Sequence, residues 1–116
     1  MYPLVLHPSL SVEKWTTYSK GRQILMVGNE MNRFLNGLRQ GQSCEELVRT
    51  LERLFELTDL TIAVNSGSLR KELLRFRDLM AEAYVGLLNG EKGNQDFSAV
   101  FKVLMFLTAE SAMAYS

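Results

Sequence analysis

At 116 residues the chain is about one domain long, and two cores of half that size would each sit near the limit of independent folding. Apolar residues make up 47% of it, 22% are charged and only 2 are proline, which excludes a disordered tail. Thirteen basic residues cancel thirteen acidic ones, so no long-range field favours nucleic acid or anionic lipid, and a lone cysteine and a lone histidine exclude an internal disulfide, a thiolate zinc site and most metal or acid–base chemistry.

The opening Met1-Tyr2-Pro3-Leu4-Val5-Leu6-His7-Pro8 is apolar but lacks the basic flank and cleavage site of a signal peptide, and its two prolines keep it out of helix. It reads as an extended arm over residues 1–10 that packs across a groove. No apolar run approaches the roughly 20 residues that span a bilayer, so a soluble, cytoplasmic protein is expected. Glycine-containing breaks near Gly41, Gly67 and Gly90 to Gly93 divide the rest into four stretches, with no internal repeat.

The first stretch predicts a helix from Ser11 to Gln40, with Ser11 as its cap and Ile24, Val27, Met31, Phe34 and Leu38 recurring on one face in steps of three and four. Trp15, Tyr18, Leu25 and Leu35 widen that face. Gly21 and Gly28 lie one heptad apart inside it, each costing about 1 kcal/mol relative to alanine, and two readings stand: tolerated glycines, or glycines that let another backbone approach closely or form the floor of a groove. The second stretch opens with Ser43-Cys44-Glu45-Glu46, a capping box, and predicts a helix from Ser43 to Val64 on a stripe of Leu47, Leu51 and Leu54. Ser66 or Ser68 caps a third helix, Ser68 to Asn89, whose stripe is Leu69, Leu73, Phe76, Met80, Ala83 and Leu87 and whose end is marked by Gly90. Asp96 caps a fourth, Asp96 to Tyr115. Seven of the eight residues from Val100 to Leu107 are apolar, too greasy for one neighbour to cover. Short connections between stretches of similar length predict an all-α, up-down-up-down four-helix bundle in a single domain over residues 1–116.

Chemistry is sparse. His7 is alone in the arm, so no helical His–carboxylate metal site can be assembled. Glu56 and Asp59 supply only half of a carboxylate magnesium site, because Glu45, Glu46 and Glu52 have the wrong spacing. Cys44 at a helix start lacks a histidine and reads as a small, partly buried side chain. Gly90-Glu91-Lys92-Gly93 lacks the strand and spacing of a phosphate loop. Arg70, Lys71, Arg75 and Arg77 form the densest basic patch, but Glu72, Asp78 and Glu82 are interspersed, so it reads as solvated surface.

Several short matches run along the chain. They are Tyr2 near the N-terminus, Ser11-Val12-Glu13-Lys14 in place of S-P-E-K, Tyr18 followed by Gly21, Asp78-Leu79-Met80 in place of D-Y-M, and Leu88-Asn89 in place of A-N. With them the layout resembles the flagellin-specific secretion chaperones, small cytoplasmic helical bundles that keep an export substrate's helical end unpolymerised. Val12 replaces that family's proline, Lys20 stands where it has aspartate, and its N-x-E-x-G turn is reduced to Asn65-Ser66-Gly67. The resemblance implies a protein-binding function without enzymatic activity.

The residues point the same way. A non-enzymatic, protein-binding bundle with no cofactor, metal or small-molecule substrate is expected, working through the apolar surface of the fourth stretch (Phe101, Met105, Phe106) and a groove near the arm (Leu4, Val5, Leu6). The alternative is a homo-oligomeric structural module in which the same surface meets its own copy. Spacing leaves open whether Phe101 or Phe106 faces inward.

Overall fold

Serine side chains set the starts of the first three helices. Ser11 Oγ accepts from the Lys14 amide and opens α1 (Val12–Thr16); Ser19 Oγ does the same for the Arg22 amide and opens α2 (Lys20–Arg39). Ser43 and Glu46 satisfy each other's backbone amides in the full capping box at the start of α3 (Cys44–Val64). Then follow α4 (Gly67–Leu88), α5 (Ser98–Met105) and α6 (Ala109–Tyr115). The computed structural model describes residues 6–93 and 96–115, and among these it is all-helical, with no strand.

The two outer stretches are each broken where one continuous helix was expected. Between α1 and α2, the Thr16 and Thr17 hydroxyls donate to the Glu13 and Lys14 carbonyls, competing with the next helical turn, and Ser19 restarts the helix from extended backbone. The carbonyls freed by the break are taken up by a buried side chain: Gln23 Nε2 donates to Trp15 O at 3.0 Å and Tyr18 O at 3.1 Å. Gln23 Oε1 accepts from Asn65 Nδ2, and Trp15 Nε1 donates to Thr61 Oγ1, so the break is tied to the end of α3 by a satisfied buried network. Between α5 and α6, Thr108 Oγ1 accepts from the Ser111 amide, while Ser111 Oγ donates to Met105 O, the carbonyl that the end of α5 leaves open.

The other expected boundaries shift by one or two residues. Ser66 occupies the cap position of α4 but makes no side-chain cap bond. Gly90, with φ near +79°, ends that helix by placing the Glu91 amide on Gly86 O, a left-handed conformation that glycine adopts without strain. Asp96 Oδ1 accepts from the Ser98 amide, one turn position before the helix proper.

The three-four stripes are the core. Ile24, Val27, Met31 and Phe34 of α2, Leu47, Leu51, Leu54 and Leu60 of α3, Leu73 and Met80 of α4 and Leu104 of α5 are all buried in one cluster with Trp15. Helix α3 packs against α2, α4 and α1, while α2 also carries α5 and α6. Gly21 and Gly28 are the seats for those last two. A Cβ at position 28 would lie 2.7 Å from Met105 Sδ, and one at position 21 would run into the Glu110 side chain. Both glycines are closely approached, by side chains of α5 and α6 rather than by another backbone.

Candidate functional site

Helices α4 and α5 touch only lightly, and between them lies an apolar groove of about 320 Å³. Buried Phe76 and Leu104 form its floor, with Leu79, Val100, Val103 and Leu107 as walls. Both helices present these residues because each carries an apolar arc wider than one neighbour covers. Among the described residues, the charged side chains on its rim are Glu72 and Arg75, which pair with each other at 3.6 Å and leave no convergent polar group there to orient a small molecule.

The three expected interface residues of the fourth stretch go to different places. Phe106 is half exposed, with Lys102 above its ring and Tyr115 at its edge. Phe101 is partly buried against the core near Gly28 and meets Tyr115 edge-on, so of the two it is Phe101 that faces inward. Met105 is buried against Gly28, so it is an interior residue of this chain rather than surface, because the absent Cβ of that glycine draws α5 down onto α2. Val103 and Leu107, which line the groove, belong to the apolar run Val100 to Leu107, whereas Leu79 was not read as an interface residue; its signal was the pairing of two apolar arcs on neighbouring helices.

The arm ends in an unforeseen polar cluster. Glu56 of α3 accepts from the Leu6 amide at 3.0 Å and the His7 amide at 2.8 Å, and its Oε1 lies 2.8 Å from His7 Nδ1. His7 Nε2 is buried 3.8 Å from Glu30 Oε1, and Arg53 bonds Glu30 through two nitrogens. Leu6 is exposed at the edge of this cluster, while Leu4 and Val5 lie outside the described residues. Of the two carboxylates weighed as half a magnesium site, Glu56 holds the arm and Asp59 accepts two bonds from Arg77. Among the described residues no group of three His, Cys, Asp or Glu side chains could hold a metal ion.

The basic patch is divided by its partners. Arg77 turns inward to Asp59 and over the Phe55 ring, Arg75 meets Glu72, and Arg70 and Lys71 are exposed. A second groove, between α3 and α4, is lined by Phe55, Asp59, Arg77, Ala81, Tyr84 and Val85. There Tyr84 donates to Glu52 at 2.9 Å; that hydrogen bond, with burial and the carboxylate's charge, pushes its hydroxyl pKa above the ordinary tyrosine value. No described helix is long and apolar enough to cross a membrane. No protein-family model, curated protein or solved structure matches the chain.

Proposed function

We propose that the protein is a non-enzymatic, cytoplasmic binding module in which α2, α3, α4 and α5 form the four antiparallel members of an up-down-up-down bundle, and the α4–α5 groove receives the apolar face of a helix from another protein. The observation that carries this reading is the groove itself: four apolar walls over an apolar floor, with a rim whose two charges neutralise each other. A slot of that kind suits residues spaced i, i+3 or i+4 and i+7 on an incoming helix. Shielding a helical segment of an export substrate, as in the secretion chaperones that the sequence resembles, is the specific form of this reading; an adaptor is the general one. The alternative, self-association, draws support from a different surface, the outer face of α4.

The test is photocrosslinking from position 103 in the full chain inside its native host, with position 63, an exposed site on α3, as the control. Position 103 is expected to capture one discrete protein through an amphipathic segment, and Leu79→Glu is expected to abolish the product while leaving helical content unchanged. A product that maps only to this chain, or one equal to that from position 63, refutes the reading.

A further inference from the structure

Beyond the groove, α4 carries a second apolar stripe. Leu74, Val85 and Leu88 are 45%, 57% and 59% exposed, and Ala81 between them is partly covered. With Asp78 these positions run 74, 78, 81, 85, 88, alternating steps of four and three, which is the seam of a two-helix coil. Exposed Arg75 and Glu82 flank the stripe on the α5 side of the helix and stand between it and Leu79, so the seam and the groove are distinct surfaces. The charges along α4 are also unevenly placed: Arg70, Lys71, Arg75 and Arg77 outnumber Glu72 in its first half, and Asp78 and Glu82 are the charges of its second.

We infer that the occupant of this stripe is a second copy of the chain, docked by α4 against α4 in antiparallel sense about a two-fold axis. In that arrangement seam residues meet in unlike layers. Leu74 of each copy lies against Val85 of the other, and Asp78 lies across from Ala81, whose small side chain leaves the carboxylate room to stay hydrated. Arg75, which flanks one layer, comes beside Glu82 of the other copy, twice per dimer because the contact is isologous. The parallel alternative sets Asp78 against Asp78 inside the seam, and its like-charge cost selects against that orientation. The Glu72–Arg75 pair is no obstacle, since the Arg75 side chain is about two-thirds exposed and a solvent-screened i,i+3 pair at 3.6 Å holds its partners weakly.

A seam of about two heptads makes a small interface, so the test is sedimentation of the full chain from about 1 to about 300 μM. The chain is expected to be a dimer in the upper part of that range, and Val85→Glu a monomer throughout with the same circular dichroism. Arg75→Glu and Glu82→Arg, each alone, are expected to weaken the dimer about tenfold by placing like charges together at two symmetric sites. Mixed, those two variants are expected to form a heterodimer of wild-type strength, because each then meets the opposite charge; a parallel pairing does not produce that rescue. Leu79→Glu is expected to leave the dimer intact, which separates this interface from the groove. A monomer at every concentration, a dimer indifferent to Val85→Glu, or one dissociated by Leu79→Glu overturns the inference.

Discussion

Two glycines in α2 look equivalent in sequence and are not equivalent in space. A methyl at position 28 meets the tip of Met105, a flexible thioether that can rotate away, whereas a methyl at position 21 meets the first carbon of the Glu110 side chain, which cannot move without its helix. Alanine also returns about 1 kcal/mol of helix propensity at either site. Gly28→Ala is therefore expected to shift global stability by less than about 1 kcal/mol in a thermal or urea melt. Gly21→Ala is expected to lift α6 from α2, read as faster amide exchange across Ala109–Tyr115; unchanged protection there contradicts the assigned contact. The glycine pair was visible as a feature in the sequence, but its partners were not, because Met105 and Glu110 lie 77 and 89 residues away from Gly28 and Gly21 and only the fold brings them together.

Element starts were readable where the chemistry is local. Ser11 and Ser43 cap their helices through amides three residues on, an interaction that needs nothing outside the segment. The breaks at Thr17 to Ser19 and at Phe106 to Thr108 were not readable, since the carbonyls they release are satisfied by Gln23 and Ser111, the first of which is held in turn by Asn65 at the far end of α3. The same contrast separates the groove, formed by two helices that each look merely greasy, from the core stripe of α4 (Leu73, Phe76, Met80 and Leu87), which lies on one helix and was legible from spacing. At the start of α5, the Ser98 hydroxyl and amide hold the Asp96 carboxyl below the usual aspartate range. A carboxyl held low stabilises the fold above its unfolded titration range and ceases to do so as pH falls. The first turn of α5 is thus expected to fray below about pH 4, and Asp96→Asn to remove most of that pH dependence. Amide exchange at Ser98 to Phe101 across an acid series measures it, and pH-independent protection there removes the assigned role.

For the molecule as a whole, the fourth stretch joins core to surface within a few residues. Phe101 packs toward α2 and Phe106 stands out from the bundle, so a charge has opposite consequences at the two sites. Phe101→Glu is expected to cost about 3 kcal/mol or more, the loss of a packed aromatic compounded by an incoming charge, and Phe106→Glu less than about 1. Chemical denaturation of the two variants side by side decides it, and equal losses would place both rings in the core. The all-helical class and the buried stripes at Ile24, Leu51 and Leu73 followed from periodicity alone. The anchoring of the arm by Glu56 did not, because nothing in a run of apolar residues announces that its last two amides will be held by a carboxylate 49 and 50 residues away.

The seat of α5 has a consequence for the groove. This helix is only eight residues long, and how deeply it sinks toward α2 is set by the space that Gly28 leaves for Met105. Val103 and Leu104 are adjacent to Met105 on the same short rod, so raising or lowering that one sulfur tilts a whole wall of the slot relative to Leu79 and Phe76. The mouth of the groove is in this sense gauged from behind: a methyl group added to α2, or a bulkier or slimmer residue at position 105, resets its width without altering a single side chain that an incoming helix would touch.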